Sequence, residues 1–127
     1  MTPTPIETPN APAAIGTYSQ AIRAGDTVYI SGQIPLNPKT MKLMTHDFPE
    51  QVRQVFANLK AVAVAAGGEL SHIVKLTVYL QDMNQFSVVN EVMATFFEKP
   101  YPARAVVEVS RLPKDVSVEM DAIMVVP

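Results

Sequence analysis

Arg104 and Glu119 are the two residues whose types and surroundings point to chemistry. Arg104 lies in the run Ala103-Arg104-Ala105-Val106, where a planar fork of donors among apolar neighbours suits two-point capture of a carboxylate. Glu119, in Val118-Glu119-Met120-Asp121, is a carboxylate inside an apolar alternation and could hold or activate a water as a general base. Each has a plainer reading. Arg104 could close a structural ion pair with Glu108 or Asp121, and Glu119 could be a surface strand acid facing water. Ser31-Gly32 joins a hydroxyl to a glycine, but no motif brings a histidine beside it. The nucleophile reading is therefore rejected, and Gly32 suits close approach of backbone to a ligand. His46, in a loop, and His72, at a strand start, lack metal-ligand spacing, and the absence of Cys removes thiolate and disulfide chemistry. The plain reading of Tyr18 is a packing aromatic, that of Asn90 an exposed helix residue, and that of the seven Met core filler.

Both leading residues fall in a stretch that reads as one hairpin. Its strands are Ala103–Ser110 and Val116–Val126, joined by Arg111-Leu112-Pro113-Lys114-Asp115 with its turn-forming Pro and Asp. Alternation about that turn puts Ala103, Ala105, Val107 and Val109 on a core face with Val116, Val118, Met120, Ala122 and Met124. The other face then carries Arg104, Val106, Glu108 and Ser110 beside Ser117, Glu119, Asp121, Ile123 and Val125. This mixture suits an interface with a site in it. The same register sets Glu108 across from Glu119, and facing like charges destabilise a sheet. A cation, a bulge, a protonated carboxyl or simple exposure to water would each relieve the pair.

Upstream, the proline-rich residues 1–14 leave only a short extended piece around Pro5-Ile6-Glu7 able to pair. Tyr18–Ala24 and Thr27–Gln33 read as a hairpin about Ala24-Gly25-Asp26, followed by a loop through His46. Asp47-Phe48-Pro49-Glu50 carries the signals of a helix start: a capping acid, a first-turn Pro and an acid three residues on. Val52, Val55, Phe56, Leu59, Val62, Ala63 and Ala66 then recur at helical spacing up to Gly67-Gly68. Ile73–Leu80 alternates as a strand, with Val74, Leu76, Val78 and Leu80 on its core face. Asp82–Gln85 caps a second helix with the stripe Phe86, Val89, Val92, Met93, Phe96 and Phe97, ended by Lys99-Pro100. The order implies an α+β fold: a mixed sheet with two helices on one face. Val106, Ile123, Val125, Ile73 and Tyr79 on the other face argue for a second copy of the chain as its cover.

A chain of 127 residues suits a single domain over 1–127, and its 48% hydrophobic content is more than so small an interior hides, so oligomerisation is expected. A net charge of -2 provides no footprint for nucleic acid, and no apolar run approaches the ~20 residues of a membrane span. The start Met1-Thr-Pro-Thr-Pro lacks the features of a secretory signal, which makes a soluble cytoplasmic protein the expectation.

Taken together, the run Ala11-Pro12-Ala13-Ala14-Ile15-Gly16-Thr17-Tyr18-Ser19-Gln20, the run Ser31-Gly32-Gln33-Ile34-Pro35, Tyr101-Pro102-Ala103-Arg104 and Arg111–Asp115 resemble the RidA/YjgF family of reactive intermediate deaminases. The resemblance covers essentially the whole chain. It implies a chorismate-mutase-like α+β fold and a homotrimer with sites in the clefts between subunits. The implied activity is cofactor-free hydrolysis of 2-imino acids, such as 2-iminobutanoate and 2-iminopropanoate, to 2-oxo acids and ammonia. By resemblance, Arg104 holds the substrate carboxylate and Glu119 the attacking water; Tyr18 lines the cleft, Ser31 and Gly32 are the backbone near the ligand, and Asn90 is a pocket residue. Three departures bear on pocket shape and substrate range. Val106 stands where the family usually has Cys, though its backbone can still hydrogen bond; Gly16-Thr17-Tyr18 replaces the usual Gly-Pro-Tyr; and the loop before Tyr101 is a few residues shorter. The alternatives are a non-enzymatic trimer that binds a small carboxylate, or one that binds a macromolecular partner.

Overall fold

A computed structural model describes residues 2–44 and 47–127 of the chain; the loop reading of His46 falls outside them. Six strands, β1 (Thr4–Ile6), β2 (Ala21–Ala24), β3 (Thr27–Gln33), β4 (Ile73–Leu80), β5 (Ala103–Glu108) and β6 (Val118–Val125), form one mixed sheet in the order β1-β2-β3-β6-β4-β5. Two helices, α1 (Phe48–Ala65) and α2 (Phe86–Phe96), cover one face of it. The α+β expectation holds.

The β2–β3 hairpin turns at Gly25, whose φ of 66° lies in the left-handed region that glycine enters without steric cost. On α1 every expected apolar position from Val52 to Ala66 is buried, because 3.6-residue spacing lays them along one stripe against the sheet. Asp47 does occupy the cap position, but its side chain caps no amide, and Glu50 is engaged instead with Arg53 one turn on. Asn58 is buried in the same stripe, where its amide donates to the carbonyls of Ile34 (3.1 Å) and Leu36 (3.0 Å) and ties the post-β3 loop to the helix. Asp82 caps a short helical turn, Met83–Gln85, that leads directly into α2.

The expected hairpin of the last two strands does not form. β5 pairs in parallel with β4 alone, while β6 lies antiparallel between β3 and β4. The helix-linked unit β3-α1-β4 leaves a gap one strand wide between its parallel members, and β6 fills it. The Arg111–Asp115 stretch is therefore a bridge past the end of β4, with Lys114 and Asp115 both at φ 56°.

This topology reassigns the faces. Arg104, Val106 and Glu108 register with Leu76, Val78 and Leu80, so they share the helix-covered side, and Ala103, Ala105 and Val107 lie on the bare side. Val116, Val118, Met120, Ala122 and Met124 are buried as expected. A register shift between Ile73 and Lys75 buries Ile73 and exposes Val74, the reverse of the simple alternation. Of the residues expected on the uncovered face, Ile123, Val125 and Tyr79 are there, whereas Val106 and Ile73 turn to the helices.

Candidate functional site

Arg104 sits on an edge strand, under the side of α2 that carries Phe86, Asn90 and Met93. Positions i, i+4 and i+7 stack along one helix face, so the three side chains form a single seat. The guanidinium carbon stands 5.2 Å from the centre of the Phe86 ring, within range for a cation–π contact. Nη1 donates to Asn90 Oδ1 at 2.6 Å and approaches Met93 Sδ at 3.6 Å. No carboxylate pairs with Arg104 among the described residues: Glu108 accepts the Met83 amide at 2.9 Å and Asp121 the Tyr79 hydroxyl at 2.9 Å. The structural ion pair is thus ruled out. Beside the guanidinium lies a pocket of about 430 Å³ lined by Asn90, Met93, Ala94, Tyr101, Pro102 and Arg104.

Glu119 lies on the other face of the sheet, half-buried. The pairing of β3 with β6 slips between Ile30 and Gln33, so Ser31 and Gly32 bulge opposite the Glu119–Asp121 end of β6. The carboxylate folds onto that bulge: a Cβ at Gly32 would collide with Glu119 Oε2 and stand 3.0 Å from Cδ. Gly32 therefore makes room for the glutamate itself, a role the close-approach reading assigned to a ligand. Burial, and then the negative charge of Asp121, raise the Glu119 carboxyl above the ordinary carboxylate range. Ser31 Oγ donates to the Ser19 carbonyl at 2.5 Å, which commits the hydroxyl to fastening the Tyr18-Ser19 segment and removes it as a nucleophile. Tyr18 is half exposed, its hydroxyl accepts the Ile15 amide at 3.3 Å, and it borders a recess of about 530 Å³ with Glu7, Thr8 and Ala14.

The structure thus gathers the expected site residues into two groups, Arg104 with Asn90 and Glu119 with Gly32, Ser31 and Tyr18. It does not bring the groups together. Arg104 registers with Leu76 and Glu119 with Tyr79, two strands apart and three residues offset, so their Cα atoms are about 14 Å apart with side chains on opposite faces. The expected facing of Glu108 and Glu119 fails for the same reason, since β4 separates their strands. Val106 points its side chain into the core beside Val78, not into an interface. The sequence reading missed Phe86 and Met93, whose spacing with Asn90 was the available signal. It also missed Gln20, buried beneath the N-terminal segment, which accepts the Thr8 amide at 2.7 Å and donates to the carbonyls of Ala11 and Pro12. Among the described residues no three His, Asp or Glu side chains cluster as metal ligands, and no helix is long and apolar enough to cross a membrane.

The sheet order and the single helical layer define a chorismate-mutase-like α+β protein. A family model described as Endoribonuclease L-PSP matches residues 8–126, and the chain belongs to that family, the RidA/YjgF proteins. A RutC family protein of Pyrococcus horikoshii is 54% identical over 118 residues, 93% of this chain and 94% of the relative. A 2-iminobutanoate/2-iminopropanoate deaminase of Escherichia coli is 48% identical over 123 residues, 94% of this chain and 95% of the relative. Among solved structures, RidA from the Antarctic bacterium Psychrobacter superposes with a TM-score of 0.94 at 49% identity, covering 97% of this chain and 99% of that one.

Proposed function

We propose that the protein hydrolyses 2-imino acids to 2-oxo acids and ammonia, with Arg104 binding the carboxylate and Glu119 handling the water. The observation that carries this reading is Arg104 itself, a cation held by Phe86 and Asn90 beside a pocket, with no acid of the described chain to neutralise it. A relative 48% identical carries the deaminase name. Water adds to the imine carbon, forming the C–O bond while Glu119 takes one of its protons. That proton passes to the nitrogen to give a carbinolamine; Glu119 then carries the hydroxyl proton to the same nitrogen, and the C–N bond breaks to release ammonia as the carbonyl forms. Imines hydrolyse readily unaided, so orientation and one proton relay suffice. Backbone amides near Gly32 and Val106 orient the substrate, and Tyr18 lines the cleft.

One small ligand cannot touch both Arg104 and Glu119 of one chain, which lie on opposite faces. The reading therefore requires sites between copies, one copy giving Arg104 and Asn90, the next Glu119, Gly32, Ser31 and Tyr18. A homotrimer is the proposed assembly, and the bare face with Tyr29, Ile123 and Val125 is the surface it would cover.

Replacing Arg104 by Ala removes a charge-assisted interaction of roughly 1.5–3 kcal/mol, so kcat/KM for 2-iminopropanoate should fall about 10- to 150-fold in a coupled assay. Clearance by R104A at the parent rate overturns the reading. Glu119→Gln separates enzyme from binder: it should lose turnover yet still bind pyruvate. The family's description as an endoribonuclease favours a second reading, RNA cleavage. Ten basic against twelve acidic residues supply little attraction for phosphates, and tight, salt-sensitive RNA binding at low salt would be needed to support it.

A further inference from the structure

Beside the Glu119 seat lies a pair of residues that the proposed reaction leaves unused. Tyr79 is the β4 residue in register with Glu119, and both belong to the bare face of the sheet. Its hydroxyl does not reach Glu119. It donates instead to Asp121 Oδ2 at 2.9 Å, two residues along the same face of β6. Successive same-face residues on a strand are roughly 7 Å apart, so the tether keeps one carboxylate a fixed short distance from another. Two ionised acids held that close on one face repel each other, and the repulsion raises the proton affinity of each.

We propose that Tyr79 and Asp121 are positioning residues for Glu119: the tyrosine anchors the aspartate as a fixed negative neighbour, so that Glu119 meets water as a stronger base than an isolated surface carboxylate. The inference rests on the reading of Glu119 as the residue that takes a proton from water. Three further facts support it. After burial, the negative charge of Asp121 pushes the Glu119 carboxyl above its ordinary value. The Tyr79 hydroxyl is itself pushed above its ordinary value, first by its hydrogen bond to Asp121, so it stays a donor throughout the working pH range. Within its own chain the remaining surroundings of Glu119 leave this influence uncancelled, and Arg104 of the facing copy acts alike on the parent and on each variant. β3 presents the Ser31-Gly32 bulge and, further along, Tyr29 in register with Ile123; β4 presents Thr77 and Lys75, the lysine also in register with Ile123; and β5 adds Ala103, Ala105 and Val107. No lysine, arginine or histidine pairs with Glu119 or Asp121 among the described residues.

The test is the acid-side limb of the kcat/KM pH profile for 2-iminopropanoate, measured on the full-length protein with Asp121→Asn, Tyr79→Phe and Glu119→Gln. Removing the Asp121 charge should move the limb down by roughly half to one pH unit, the size expected for one solvent-screened charge at that distance, while KM changes less than twofold. Tyr79→Phe keeps the ring and frees the carboxylate to approach Glu119, which should move the limb in the opposite direction. A limb that stays put in D121N overturns the proposal, as does a loss of rate that is uniform in pH, since that is the mark of a merely structural pair. If E119Q retains the full parent rate, the base assignment itself is what fails. If E119Q is inactive and D121N leaves the limb unmoved, the base assignment stands and the positioning role falls. Thermal unfolding of each variant distinguishes a shifted profile from a damaged fold.

Discussion

Around Arg104 the chain supplies side chains, whereas around Glu119 it supplies backbone. The guanidinium rests on Phe86, Asn90 and Met93 from two turns of α2, each making its own contact. The carboxylate lies over a bulge at Ser31-Gly32, where what matters is an atom that is missing. A seat assembled from several side chains loses strength in portions as they are removed. A seat defined by the lack of one Cβ fails at once.

The largest expected effect therefore comes from the smallest change. Gly32→Ala puts a methyl where Glu119 Oε2 now lies and drives the carboxylate off the bulge. Turnover of 2-iminopropanoate should fall toward that of E119Q, roughly 10²- to 10⁴-fold for loss of a positioned proton carrier. Stability should change by less than about 1 kcal/mol, because the displaced group is the end of a flexible side chain on the bare face. A G32A protein with turnover within twofold of the parent breaks the contrast between the two seats. On the other side the losses should be graded. Asn90→Ala removes a charge-assisted acceptor from Arg104 and should weaken pyruvate binding roughly tenfold, measured by calorimetry. Phe86→Leu keeps apolar volume but loses the ring face, worth about 0.5–1 kcal/mol, or a two- to five-fold weakening in the same titration. A Phe86→Leu effect as large as that of R104A would mean that the ring is part of the ligand site and not a support.

What could be read from the residue order follows the same divide between local and distant causes. The α1 stripe, the Gly25 turn and the alternation of Leu76, Val78 and Leu80 were legible because neighbours in sequence produce them. The β5–β6 hairpin was not, because two antiparallel strands carry the same local pattern whether they touch or a third strand lies between them. The apolar run of β4 decides the matter by inserting there, and with it Arg104 moves to the face opposite Glu119. Val74 and Ile73 exchanged places because a register shift follows from pairing partners and leaves no mark on alternation. Residue types singled out Arg104 and Glu119 as candidates, but what Ser31 and Gly32 do depends on what lies across the sheet from them. Gln20 and Asn58 carry no motif, and only their burial against loop carbonyls reveals them as fasteners.

The smallest effect tests the backbone seat through stability alone. Burial and Asp121 raise the Glu119 carboxyl above its ordinary value in the fold, so between those two values the folded chain binds more protons than the unfolded one. Stability contributed by this group is therefore present at acid pH and is lost as pH rises through the raised value. At neutral pH the ionised glutamate works against folding, and a neutral side chain of the same shape does not. Glu119→Gln should accordingly unfold at a higher denaturant concentration than the parent at pH 7.5. The gain should stay below about 1 kcal/mol, because the glutamate is only partly buried and solvent screens its charge. It should vanish as pH drops below the ordinary carboxylate value, where both forms are uncharged. A glutamine variant less stable than the parent at pH 7.5 would mean that the ionised carboxylate is welcomed on the bulge, and the tuning attributed to Asp121 would fail with it.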